Sequence, residues 1–181
     1  TVMLLFFTTA LLASDVDGTN KWAWSTNAGW LNFNTDPQGK VTVFTDHLEG
    51  HIWAENVGWI RVGTHTTGSP HAYTNADQAT YGVNNDGCGN LSGYAWGTNI
   101  GWVNFDPNGD EQVVIDPVTG EFDGFAWAEN IGWIQVEGIA QDATPYLVSV
   151  DSTENVLTHT TDIAGILTTR RPNPDSSSGL T

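Results

Sequence analysis

Trp96-Gly97-Thr98-Asn99-Ile100-Gly101-Trp102 is the stretch whose reading decides the fold. Tyr94 and Trp96 alternate with Ala95, so the two large rings share one face of an extended strand. Thr-Asn-Ile-Gly supplies a turn, in which Asn99 and Gly101 are the residue types that accept positive φ. The chain returns as Trp102-Val-Asn-Phe, which sets the two tryptophans opposite one another across a hairpin. The same seven-residue unit recurs as Trp24…Asn27-Ala-Gly29-Trp30, Trp53…Asn56-Val-Gly58-Trp59 and Trp127…Asn130-Ile-Gly132-Trp133. A catalytic constellation occurs once per domain; an aromatic motif copied four times is a building device or a binding surface used repeatedly.

The copies have a higher order. The first and third continue as Leu-Asn-Phe or Val-Asn-Phe into Asp36-Pro37 and Asp106-Pro107, while the second and fourth carry Ala-Glu-Asn and continue as Ile-Arg-Val or Ile-Gln-Val. A two-hairpin unit is thus duplicated, as in arrays of one supersecondary element. Alternating runs at 40–45, 112–116 and 146–150, separated by Gly, Pro, Asn and Asp turns, add further strands. Val41–Thr45 and Val113–Asp116 read as strands leading into the second and fourth hairpins, making each a three-stranded meander. The expected fold is all-β: tandem antiparallel meanders and hairpins, sandwich- or solenoid-like, with terminal arms. The segments are an apolar arm (1–14), a first meander pair (15–64), a connection (65–90), a second pair (91–138) and a C-terminal region of strands and polar tail (139–181).

Gly-Tyr-Ala-Trp-Gly-Thr-Asn-Ile-Gly-Trp-Val (93–103) and Gly-Phe-Ala-Trp-Ala-Glu-Asn-Ile-Gly-Trp-Ile (124–134) resemble a repeat of secreted and cell-surface bacterial proteins. There the repeat follows a segment similar to Val-Ile-Asp-Pro-Val-Thr-Gly-Glu-Phe, as at Val114–Phe122. The resemblance covers residues 22–62 and 81–136. It implies an extracellular, repetitive β protein, and it carries over no activity and no catalytic residue.

Five Lys+Arg against 21 Asp+Glu give a formal net charge of -16. Nucleic acid and anionic membrane surfaces, which both need a basic face, are excluded as partners on that ground. Acidic, lysine-poor composition suits a secreted or surface protein and makes calcium a candidate ligand. Cys88 is the one cysteine, so no intrachain disulfide is available, and it reads as a small thiol in a turn. The arm carries Leu4, Leu5, Phe6, Phe7, Leu11 and Leu12, the pattern of a signal-peptide core or of a strand donated to a neighbouring subunit. It is too short to span a bilayer as a helix.

The paired tryptophans suit a sugar platform, but four copies in one turn context favour filling the core or the interface between repeats. Asn27, Asn56, Asn99 and Asn130 are accounted for by turn geometry. Glu55 and Glu129 occupy one slot of the even copies; equivalent by repetition, they lack the unlike environments of a glycosidase pair and read as solvated turn carboxylates. Asp15, Asp17 and Asn20 open like a calcium loop, yet Thr26 stands where the EF-hand glutamate belongs, leaving at most a looser calcium site. A second acidic cluster runs over Asp106–Glu111. His47, His51, His65 and His71 have no zinc spacing around them and read as scattered surface residues. Asn90-Leu-Ser92 is a glycosylation sequon. With no nucleophile elbow, P-loop, dinucleotide fingerprint or His-Glu-x-x-His, a non-enzymatic role is expected. The first expectation is a structural subunit of an extracellular filament or surface layer, polymerising with copies of itself through strand edges and the arm. No cofactor is required for it. The alternative is a carbohydrate-binding or adhesive module that presents its tryptophans to a cell-surface glycan.

Overall fold

A computed structural model describes residues 13–108 and 111–151. The apolar arm residues Leu4, Leu5, Phe6, Phe7, Leu11 and Leu12, and the polar tail, lie outside them. Each tryptophan motif forms one antiparallel hairpin. The four are β1 (Ser14–Ser25) with β2 (Gly29–Asn32), β4 (Leu48–Ala54) with β5 (Gly58–Arg61), β7 (Leu91–Gly97) with β8 (Gly101–Asn104), and β11 (Phe125–Ala128) with β12 (Gly132–Gln135). The shorter strands are β3 (Val41–Val43), β6 (Val83–Asn85), β9 (Val114–Ile115), β10 (Phe122–Asp123), β13 (Glu137–Ile139) and β14 (Pro145–Val150). The described chain is all-β. The tryptophans face each other in register as the motif predicts: Trp24↔Trp30, Trp53↔Trp59, Trp96↔Trp102 and Trp127↔Trp133.

The hairpins close on themselves. The hydrogen-bonded order β12-β11-β8-β7-β5-β4-β2-β1 returns to β12 through Trp24↔Gln135, giving an eight-stranded antiparallel barrel. Closure takes the place of the sandwich- or solenoid-like arrangement that tandem repeats suggest. It removes the strand edges that an open stack of hairpins would leave. Both meander pairs, 15–64 and 91–138, therefore belong to one barrel.

The lead-in strands obey the same symmetry. Val41, Val83, Val113 and Val148 donate their N–H groups to Phe33, Val62, Phe105 and Val136, each time across one repeat. Val148 lies in β14, which pairs with β1. The C-terminal strand thus does for the first hairpin what β3 and β6 do for the second and third.

Filling the interior decides which way the tryptophans point. An eight-stranded barrel has room inside for its own side chains and little else. Leu31, Ile60, Val103 and Ile134 of the return strands occupy the axis, all 3% exposed or less. Most inward positions of the partner strands then hold small residues: Ala23, Ala54, Ala95, Ala126 and Ala128 are fully buried or nearly so, and Ile52, opposite Ile60, is the larger exception. At Gly97 even a methyl group would lie 2.8 Å from Ile100. Alternation sends the tryptophans outward, so of the two expected places, the core and the interface between repeats, they do not occupy the core. Phe33, Phe105 and Phe122 close the end opposite the turns.

Candidate functional site

The outer wall carries an aromatic belt. The rings of each motif pair meet edge to face, with centroids 4.9 Å apart for Trp24–Trp30, 5.0 Å for Trp53–Trp59, and 4.7 Å for both Trp96–Trp102 and Trp127–Trp133. Such pairs contribute about 0.5–1.5 kcal/mol each beyond area burial. Trp22, His51, Tyr94 and Phe125, two residues before each first tryptophan, add a third ring against the second one. Between hairpins a polar residue opposes each first tryptophan: Asn32↔Trp53, Arg61↔Trp96, Asn104↔Trp127 and Gln135↔Trp24. Most of these indoles keep over a third of their surface in water, from 36% at Trp24 to 40% at Trp59 and Trp133.

Two of the four pairs are elaborated. Tyr146 stands edge-on to Trp30 and Tyr81 edge-on to Trp102, both at 5.1 Å. Clefts open on either side of each. Those beside Trp30 measure about 300 and 450 Å3 and take in Trp22, Glu55 and Asp142. Those beside Trp102 measure about 240 and 400 Å3 and take in Trp96, Tyr94, Asp77 and Glu129. Sequence reading missed this doubling, because Tyr81 and Tyr146 come from loop and C-terminal segments outside the motif.

The turn residues do other work than expected. Gly29, Gly58, Gly101 and Gly132 take positive φ, but the motif asparagines do not. Asn27 donates its side-chain amide to the Ile131 carbonyl, Asn130 to Ile100 and Asn99 to Val57. The second turn completes the ring through the main-chain N–H of Asn56, which donates to Ala28. Each turn thereby satisfies a carbonyl of the preceding one. Glu55, exposed in its turn, accepts the N–H of Trp30, and Glu129 is exposed at the rim of the Trp102 cleft.

The calcium-ligand candidates make the following contacts. Asp15 pairs with Lys40 and accepts from Thr42, while Asp17 accepts the main-chain N–H groups of Thr19 and Asn20 in its own turn. In the second acidic stretch, Asn108 donates to Glu111. Cys88 is an exposed free thiol.

The histidines correct the sequence reading. His51 packs on Trp59 in the belt, but His47, His65 and His71 converge although up to 24 residues separate them. His47 is completely buried, stacked on Phe44 at 4.7 Å. Its Nδ1 lies 2.6 Å from Asp46 and its Nε2 lies 3.1 Å from Glu49. His65 and His71 stack in parallel at 3.8 Å, and Tyr73 closes the group with its hydroxyl donated to Leu48. Burial pushes Asp46 upward, but hydrogen bonds from Ser69, His47 and the His71 N–H outweigh it and hold the carboxyl below its ordinary range. Burial raises the Tyr73 hydroxyl far above its own. No helix among the described residues is long and apolar enough to cross a membrane.

The fold and its belt define a class of architecture: a closed barrel of four tryptophan hairpins. No protein-family model, curated protein or solved structure matches the chain, so these residues alone carry the functional reading.

Proposed function

We propose that the protein is an extracellular, non-catalytic adhesion module that binds neutral glycans on the aromatic wall of its barrel. One observation carries the reading: the motif tryptophans stand outside, partly exposed, beside clefts that pair aromatic faces with carboxylates. A T-shaped pair uses one face of one ring, which leaves flat indole surface for the apolar face of a pyranose. Asn32, Asn104, Gln135, Glu55 and Glu129 stand beside it as partners for hydroxyl groups. A net charge of -16 repels polyanions, which selects uncharged sugars. The clefts at Trp30 and Trp102 belong to corresponding repeats, so one chain offers two sites and gains avidity on a repetitive polymer. Return strands of four residues reach about 13 Å, roughly half the apolar height of a lipid-facing barrel. That favours a soluble ligand for the belt.

The test is titration with neutral oligosaccharides, followed by tryptophan emission. Quenching that saturates in the wild type and falls at least about tenfold in affinity in Trp102→Ala and Trp30→Ala supports the reading. Absence of any response across neutral hexose and N-acetylhexosamine oligomers would remove it.

Polymerisation into a filament or surface layer keeps one specific support. Strand β13 ends the described sheet, pairs only with β14, and carries Ile139 at 75% exposure. An edge of this kind accepts a strand from another copy. Negative-stain images of the full chain distinguish filaments from single particles.

A further inference from the structure

We propose that His47, Glu49 and His65 form a binding site for one divalent transition-metal ion of the zinc type, which ties the loop after β5 to the start of β4. The ligand atoms all lie within 4.8 Å of one another. Metal–ligand bonds of about 2.0–2.1 Å in a tetrahedron place neighbouring donors about 3.3 Å apart. Here Glu49 Oε1 lies 3.1 Å from His47 Nε2 and 3.9 Å from His65 Nε2, which brackets that spacing. Two imidazoles and a carboxylate with a fourth position open is a zinc donor set. It offers too few oxygens for calcium.

Hydrogen-bond accounting gives independent support. Asp46 is anchored by Ser69 Oγ at 2.5 Å and the His71 N–H at 2.9 Å, and it faces His47 Nδ1. A carboxylate there fixes the proton on Nδ1 and turns the bare Nε2 lone pair toward Glu49. Glu49 Oε1 already accepts the Gly68 N–H at 2.7 Å. Two acceptors 3.1 Å apart, one buried and one largely so, repel unless a proton or a cation lies between them. A metal ion answers both lone pairs and draws in His65, which now rests on the Gly68 carbonyl and the Thr67 hydroxyl. Of the three donors, His65 lines a cleft of about 260 Å3 together with His71, Ala72 and Thr74, through which water can reach it.

The loop has reason to need such a tie. From 64 to 80 it forms no strand and no helix, yet it sets Tyr73 in the core and delivers Asp77 and Tyr81 to the Trp102 cleft. The proposal does not depend on the glycan reading.

Cobalt(II) added to the full-length, chelator-treated chain at neutral pH reports the site by its visible absorption, and zinc(II) competition gives affinity. One equivalent is expected to develop the intense tetrahedral spectrum, and zinc is expected to raise Tm. Glu49→Gln keeps an acceptor for Gly68 and His65→Ala sits at the loop side; each should weaken binding at least about tenfold, and Asp46→Asn by about 10–100-fold. His51→Ala, outside the cluster, should bind as the wild type does. No tetrahedral cobalt spectrum in the wild type overturns the proposal. So does unchanged affinity in both Glu49→Gln and His65→Ala, which places the ion outside the cluster.

Discussion

The side-chain amide of Asn27, in the first hairpin turn, donates to the carbonyl of Ile131 in the fourth at 3.0 Å. The link joins residues 104 apart in sequence and closes the ring of turns. Replacing Asn27 with Asp removes the donor and sets a carboxylate against a carbonyl. We expect a loss of about 1–3 kcal/mol in urea denaturation. Asn56→Asp should cost less, because the second turn makes its link through the main chain. Equal costs would show that the amide ring contributes nothing beyond turn conformation.

Two glycines separate strain from collision. Gly50 and Gly58 both take positive φ, at 105° and 86°. A methyl group at Gly58 meets nothing nearer than 3.9 Å, whereas at Gly50 it would fall 1.8 Å from the Lys40 carbonyl oxygen. Gly58→Ala should cost about 1–2 kcal/mol from backbone conformation alone. Gly50→Ala must also push β3 away from β4, so its midpoint of thermal unfolding should fall well below that of Gly58→Ala. Similar melting curves would place the two strands farther apart than described.

Acid should act on the belt through His51. Burial first, and the Arg61 guanidinium opposite it in register, hold the ring below its ordinary value of about 6.5. The folded chain therefore binds this proton less readily than the unfolded one. The contribution is whole above the unfolded pKa and is lost as pH falls through about 6.5 toward the lower folded value. His51→Tyr restores the ring type found at Tyr94 and removes the titration. Its Tm should fall less steeply below that pH than the wild type's; parallel profiles would leave His51 without a part in acid sensitivity.

The two ends of the chain should differ in importance. Deleting residues 1–12 leaves every strand of the described barrel intact, so far-UV circular dichroism and tryptophan emission should be preserved. Val148→Asp buries an unpaired carboxylate where Val41, Val83 and Val113 sit in the other repeats, and it should unfold the chain or cost several kcal/mol. A folded, stable Val148→Asp would mean that β14 is not part of the core. If the first deletion abolishes filaments while leaving the fold, polymerisation through the arm gains its support.

Much of the fold was written locally. Tryptophans six residues apart around Asn-x-Gly, with alternation before and after, specify a hairpin and its register by backbone periodicity and turn chemistry alone. The same alternation put Trp24 and Ala23 on opposite faces. It did not say which face was inside, because that depends on how many hairpins share one interior. Closure into a ring made the interior narrow, and the small alanines, not the indoles, fitted it.

Residues far apart in sequence were beyond such reading. His47, His65 and His71 have no motif spacing; the loop after β5 folds back over β4 and gathers them around Asp46 and Glu49. Asn27 looked like an ordinary turn residue because its partner, Ile131, reaches it only when the last hairpin meets the first. The sequence by itself determined the hairpins, since their hydrogen bonds and ring pairs join near neighbours along the chain. The closed ring, the outward belt and the histidine cluster were decided only by tertiary structure, because each depends on contacts between segments that nothing local brings together.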